Sequence, residues 1–224
     1  MLTFYHHPLS PISRRVWLAL LEKEIPFEPV IVDLSKFEQF QPEFLTLSPF
    51  HHIPVIVEEG FRVIESIAIL DYLEDRYPQP SLVSTCYRQR ATMRMIQMVT
   101  VNELVPKLSK LVNKDNVPLA QKAKRELDMG LSFLNTCLDK ERYFGGDRLN
   151  LADIVVGAAV PLFARLGVEL TVYSALNQWC TNITARQAWQ MTNPSDGDFN
   201  AWKNVIQRWM QIALKRQTRQ HKGS

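Results

Sequence analysis

The sequence predicts an α/β domain with a mixed sheet, followed by an all-helical domain. Three observations carry that expectation. The first 78 residues run strand, helix, strand and then short helix, hairpin, helix. A proline-rich stretch, PQPSLVS, follows. From Cys86 onward the periodicity is helical, with almost no strand pattern.

Each element has its own local reason. LTFYHH (Leu2 to His7) reads as a strand, and SRRVWLALLEKE (Ser13 to Glu24) sets Val16, Leu20 and Leu21, with Trp17, at helical spacing until Pro26 breaks it. FEPVIVDL is a second strand, so the pair forms a βαβ unit whose helix crosses over to a parallel neighbour. PEFLTL is a short turn of helix. IPVIVEEGFRVIES carries two β-rich runs separated by Glu-Glu-Gly, a hairpin signature. ESIAILDYLEDRYP is an amphipathic helix stopped by Pro78.

Beyond the proline-rich stretch, RQRATMRMIQMVTVNELVPKLSKLV reads as one long helix with a stripe of Met93, Met95 and Met98, suited to core or interface. The next helix begins with Pro118 in its first turn, where a missing N–H costs nothing. LNLADIVVGAAVPLFARLG follows Gly145-Gly146, and Asn150 with Asp153 has the spacing of a capping box. FNAWKNVIQRWMQIALKR makes a last helix, and the basic end KRQTRQHKGS reads as a solvated tail. The expected division is therefore 1–78 for the α/β domain, 79–85 for a linker, 86–216 for the helical domain and 217–224 for a disordered tail.

Bulk properties narrow the function classes. The chain has 224 residues and a net charge of +3, much of it in the terminal segment, so no nucleic-acid face is indicated. Cys86, Cys137 and Cys180 form no CxxC or Cys/His ligand spacing, which fits a reduced, cytoplasmic setting. The first residues lack the apolar run of a secretory signal, and the longest apolar run, Ile154 to Phe163, is about half a membrane span. A protein with no membrane segment is expected. No P-loop or dinucleotide glycine pattern is present.

Candidate chemistry gathers at element ends. Ser10 stands where the first helix begins; beside unpaired amides its hydroxyl suits either a cap or a donor to a bound anion or thiolate. Ile53-Pro54 ends a loop and starts a strand. With a cis bond it would turn the Ile53 amide and carbonyl outward to pair a ligand backbone, and with a trans bond it would be an ordinary turn proline. Glu65-Ser66 lies where a strand gives way to a helix; it is either a plain N-cap or a site for the carboxylate and ammonium of an amino-acid-like ligand end. His6, His7, His51 and His52 fall in two adjacent pairs without the i, i+4 spacing of a metal site, so no metal is expected. His52, two residues before the loop proline, could line a site.

Taken in order, LSPISRRVWLAL, QPEFLTLSPFHHIPVIV, RVIESIAILDYLEDRYP and LNLADIVVGAAVPLF resemble the soluble glutathione S-transferase family across both halves of the chain. The resemblance implies a thioredoxin-like N-terminal domain that holds glutathione, an all-helical domain that lines the electrophile site, and a homodimer. Ser10, with Arg15 five residues on, is similar to the catalytic-serine branch of theta, zeta and phi classes. There Ser10 would donate a hydrogen bond to the glutathione sulfur, though Tyr5 on the first strand is a rival donor.

On the same resemblance, Ile53 and a cis Pro54 would receive the cysteinyl backbone, and Glu65 and Ser66 would hold the γ-glutamyl end. His52 would lie near the glutathione backbone. Gln39 stands where related chains often place a His for the glycyl carboxylate; it keeps a hydrogen bond and loses a charge. Glutathione is then the co-substrate and the partner a small hydrophobic electrophile. The expected electrophile pocket lies between the Tyr5 to Ser10 loop and the helix segment Met95 to Glu103, with Arg94, Met98 and Asn102 as candidate liners. A glutathione-dependent isomerase of zeta type and a non-catalytic binding or scaffold protein are the alternatives. Both sulfurs of a C-P-x-C motif are absent from S-P-I-S, which disfavours disulfide reductase chemistry.

Overall fold

A computed structural model describes residues 1–112 and 117–207. Strand β1 (Leu2–His6) buries alternate residues, so Leu2, Phe4 and His6 share one face while Thr3 and Tyr5 share the other. It pairs parallel with β2 (Phe27–Ile31) and antiparallel with β3 (Val55–Glu58), and β3 turns into β4 (Phe61–Ile64), giving the order β2-β1-β3-β4. Glu59 and Gly60 form the turn with φ of 52° and 80°, the left-handed geometry that matches the twist of a two-residue hairpin. Pro29, which cannot donate to a ladder, is tolerated because β2 is an edge strand.

Helix α1 (Pro11–Glu22) makes the crossover from β1 to β2, as expected, and starts two residues earlier than the apolar period alone indicated. With α3 (Ser66–Arg76) it covers the face carrying Leu2, Phe4 and Ile56. Helix α2 (Pro42–Leu47) covers the other face through a smaller cluster of Val32, Phe44 and Val55. The helix starts at Ser10 and Ser66 therefore lie at the same end of the strands, beyond the C-termini of β1 and β4.

The helical half follows as α4 (Tyr87–Val99), α5 (Lys107–Val112), α6 (Val117–Leu138), α7 (Leu151–Arg165), α8 (Ser174–Thr184), α9 (Gln187–Met191) and a last helical stretch over 196–207. The single helix expected over 88–112 is interrupted by a π-helical turn at Thr100–Leu104 and then by Pro106, whose ring and missing N–H end the run. Met93 is buried, whereas Met95 and Met98 remain exposed on the isolated chain. Helices α8 and α9 were not anticipated. The expected tail at 217–224 lies outside the described residues, as does the part of the expected last helix over 208–216.

Helix α7 is buried on all sides and starts at the expected capping box. The Asn150 side chain accepts from the amides of Ala152 and Asp153, and the Asp153 carboxylate accepts from the Asn150 amide. It packs on α1, α4 and α8, so one core cluster runs from Phe4 and Leu20 through Ile154 and Val155 to Trp179. Among the described residues, no helix is long and apolar enough to cross a membrane.

Candidate active site

Ser10 is the N-cap of α1. Its Oγ accepts the Ser13 amide at 3.2 Å, which uses a lone pair and leaves the hydroxyl hydrogen available. In the same first turn Pro11 has no N–H and the Arg14 amide bonds the Ser10 carbonyl, so the Ile12 amide is left without an intrahelical partner. One O–H and one N–H at the positive end of a helix dipole thus converge where Ser10 and Ile12 line a cleft of about 920 Å³. An O–H and an N–H so placed are suited to a small anion. Tyr5 packs in the cluster beneath α2 and lines neither this cleft nor the cavity beside it.

At the other end of the cleft, Glu65 and Ser66 begin α3. Glu65 has φ of 65°, a left-handed conformation that a non-glycine residue holds only under compulsion from its surroundings. Its carboxylate makes no capping bond and is exposed. Ser66 is buried, and its Oγ accepts from Arg15 Nη1 at 3.3 Å, so its hydrogen, like that of Ser10, is free. Arg15 itself is buried behind Ser66; burial lowers its pKa to about 10, which still leaves it charged at neutral pH. A ligand carboxylate placed here meets the α3 amides, the Ser66 hydroxyl and a cation behind it, while an ammonium meets Glu65.

The structure gathers the seven residues that the resemblance assigned to glutathione, Ser10, Gln39, His52, Ile53, Pro54, Glu65 and Ser66, along this one cleft. The Ile53–Pro54 peptide is cis. Among the described residues, the Ile53 amide and carbonyl make no hydrogen bond to the protein. Gln39 is buried with an unpartnered Oε1, and His52 Nδ1 stands 3.9 Å from Glu65 Oε1.

Other liners escaped the sequence reading. His51 sits in the left-handed region at φ 60° with its ring 4.7 Å from that of Phe40. Phe37, Phe40 and Phe50 line the cleft while remaining 52, 50 and 60% exposed. Three exposed phenylalanines within fourteen residues were the signal, since such side chains gather where something covers them. Among the described residues, no lysine or arginine lines the cleft.

A second cavity of about 440 Å³ adjoins the first and shares Ser10, Ile12 and Leu34 with it. Its far wall comes from Leu108 and Ser109 on α5 and from Trp202, Val205 and Ile206 on the last helical stretch. The expected liners Arg94, Met98 and Asn102 are exposed elsewhere and do not reach it. The π turn and Pro106 break the helix before this wall, so α5 replaces the Met95 to Glu103 segment there. Among the described residues, no group of three or more His, Cys, Asp or Glu is placed to hold a metal ion.

Comparison with known proteins places this geometry. Residues 4–81 match the family described as glutathione S-transferase, N-terminal domain, and residues 117–182 match glutathione S-transferase, C-terminal domain. The chain belongs to the glutathione S-transferase family. Among curated relatives of this glutathione S-transferase, maleylacetoacetate isomerase of Rattus norvegicus is 32% identical, with 85% of this chain and 91% of that protein covered. Glutathione S-transferase hmp2 of Hypomyces subiculosus is 29% identical over 79% and 91%. Among solved structures, poplar glutathione transferase F1 aligns with a TM-score of 0.75 at 28% identity, covering 85% and 95%. A delta-class glutathione transferase of Nilaparvata lugens aligns at 0.81 and 25% identity, covering 92% and 100%. The transferase fold is thus shared along nearly the whole chain, with the four-stranded mixed sheet in the first half and helices in the second.

Proposed function

We propose that this glutathione S-transferase activates the glutathione thiol through Ser10 for attack on small hydrophobic electrophiles. The observation that carries the reading is the Ser10 hydroxyl: its oxygen is occupied by the Ser13 amide, its hydrogen is free, and it lies where the two cavities meet. A free thiol titrates near ~8.5, so lowering it by about two units leaves most of the bound sulfur as thiolate at neutral pH. The thiol proton leaves to solvent, the Ser10 O–H and the helix end hold the sulfur anion, and the sulfur attacks an electrophile in the second cavity. No covalent enzyme intermediate is needed.

In this reading Ile53 pairs with the cysteinyl backbone beside Pro54, and Glu65 and Ser66 hold the γ-glutamyl ammonium and carboxylate. Gln39 and His52 attend the glycyl end and backbone of glutathione. Residues 1–78 form the glutathione half and 86–216 the electrophile half, joined at 79–85. We further propose a cytoplasmic homodimer. The exposed Met95 and Met98 on α4 supply an apolar face, and the three free cysteines suit a reducing setting.

A glutathione-dependent isomerisation is the second reading, favoured by the 32% identical rat maleylacetoacetate isomerase. It uses the same bound thiolate, which adds and then departs. The test is activity toward an aryl halide, an isothiocyanate and a maleyl-type substrate for wild type and Ser10→Ala. Ser10→Ala is expected to lower kcat/KM by about 10- to 100-fold and to abolish the thiolate absorbance of bound glutathione. A variant within about two-fold of wild type would remove Ser10 from the mechanism. Absence of both activity and retention on immobilised glutathione would favour a non-catalytic binding role.

A further inference from the structure

His7 occupies the turn between β1 and α1 and lines the second cavity, not the glutathione cleft. Its Nδ1 accepts the Leu9 amide at 3.2 Å, so in the neutral ring the proton sits on Nε2. The His7 backbone is tied to Ser10 and its helix, because the Ser10 amide donates to the His7 carbonyl at 3.0 Å and the His7 amide donates to Ser13 Oγ at 3.5 Å. Burial lowers the His7 pKa although nearby Asp33 pulls it up, so the ring is neutral at physiological pH.

The other hydroxyls and the carboxylate of this cavity are engaged. The Ser35 hydroxyl donates to Asp33 Oδ1 at 2.6 Å, the Ser109 hydroxyl donates to the Pro106 carbonyl at 3.5 Å, and ionised Asp33 only accepts. Apart from Ser10, which the sulfur occupies, the cavity has two side-chain donors without an acceptor among the described residues, His7 Nε2–H and Trp202 Nε1–H, and of the two it is His7 whose backbone is bonded to Ser10. Much of the cavity wall is apolar, with Val105, Leu108, Val205 and Ile206 among its residues, and in such surroundings a hydrogen bond to a developing anion is worth most.

Resting on the transferase reading above, we propose that His7 is a catalytic residue for one electrophile class, α,β-unsaturated carbonyl compounds, donating its Nε2–H to the carbonyl oxygen. The thiolate lone pair forms the S–C bond at the β-carbon. The C=C pair moves to join the α-carbon to the carbonyl carbon, and the C=O pair moves onto oxygen, where His7 holds it. Water then protonates the α-carbon, returning the proton that glutathione released on binding. A substrate whose charge leaves on a halide gains nothing from His7.

The experiment compares wild type, His7→Phe and His7→Gln with an aryl-substituted enone and a benzyl halide as electrophiles, alongside the thiolate absorbance of bound glutathione. His7→Phe keeps a ring in place and is expected to lower kcat for the enone by about 10- to 100-fold, with KM changing less. His7→Gln, which still carries an N–H donor, is expected to recover part of that loss. The absorbance is expected to stay within about two-fold of wild type, and the benzyl halide kcat to fall by a much smaller factor than the enone kcat, so that the enone-to-halide ratio drops by about 10-fold. Equal losses on both electrophiles, no loss on the enone, or a wild type that conjugates the halide but not the enone overturns the proposal for His7 alone. A wild type that neither holds glutathione nor conjugates either compound overturns the transferase reading and this one together.

Discussion

Ser10 and Ser66 solve the same problem in the same way. Each hydroxyl oxygen is held from behind by an N–H, the Ser13 amide in one case and Arg15 Nη1 in the other, so each presents its hydrogen to the cleft. Held donors cost no reorganisation when an anion arrives. Arg15→Lys removes the planar fork that fixes Ser66, and is expected to raise KM for glutathione severalfold while leaving kcat near wild type; a fall in kcat at unchanged KM would contradict a positioning role. His6 shows the opposite use of burial. Its ring stacks on Phe4 at 4.4 Å, its Nδ1 has no partner, and burial, with His7 adding to it, lowers its pKa from 6.5 to about 4. The folded state therefore resists protonation that the unfolded chain accepts, so His6 stabilises fully above pH 6.5 and that contribution is lost as pH falls toward about 4. His6→Phe is expected to flatten the decline of the urea midpoint between those limits; a decline as steep as wild type would refute it. Ser10, Ile53-Pro54 and Glu65-Ser66 were legible in the sequence because helix starts and X-Pro steps are local signals. The Arg15 contact spans 51 residues, and the His51 and Phe37 conformations depend on left-handed backbone set by the fold, so no local pattern announced them.

At the scale of elements, α7 shows how burial and capping combine. Asp153 is fully buried yet serves three donors besides its own helix, the amides of Asn150 and Phe144 and Trp179 Nε1 at 2.8 Å. Burial raises its pKa to about 6 against those hydrogen bonds. One turn further on, Gly157 exposes its carbonyl to Trp189 Nε1 at 2.8 Å, and a Cβ at Gly157 would lie 2.7 Å from the Trp189 ring. Gly157→Ala must therefore displace the indole from the Gly157 carbonyl or push α9 away, at an expected cost of about 2 to 4 kcal/mol. Chemical denaturation reads this directly, and a loss under about 1 kcal/mol would mean that α9 is free to shift. The order of strands and helices through α3 followed from apolar period and proline position, and the structure keeps it. Helices α8 and α9 were missed because α8, SALNQWCTNIT, is rich in polar and β-branched residues and α9, QAWQM, is only five residues long. They are held by Trp179 and Trp189 inserting into the α7 surface, a tertiary cause that propensity does not carry. The break in the Met-bearing helix was legible at Pro106, but the π turn before it was not.

Across the whole molecule, α1 is the element that joins the two halves. Its apolar side contributes Val16, Ala19 and Leu20 to a core that continues without interruption into α7. Its polar ends add long-range bonds. Arg14 donates through Nε to Thr192 Oγ1 at 3.1 Å and through Nη2 to the Trp189 carbonyl at 3.3 Å, and Glu22 accepts from Arg186 Nε at 2.9 Å. Lys23 ties Glu74 Oε2 at 2.8 Å and the Pro80 carbonyl at 2.7 Å, fastening α3 and the connecting segment to the same helix. A shared core of this kind makes separate melting of the halves unfavourable, since either half alone would expose the α1–α7 surface to water. Heating is therefore expected to give one cooperative transition, with tryptophan fluorescence and far-ultraviolet circular dichroism coinciding; two resolved transitions in the wild type would contradict a common core. Arg14→Ala separates the contributions. It leaves the apolar contact in place and removes two bonds from a buried cation, so stability is expected to fall by about 2 to 3 kcal/mol while the transition stays single. If that variant instead melts in two steps, the polar bridge rather than the core couples the halves, and the electrophile cavity, whose walls come from both, would loosen with it.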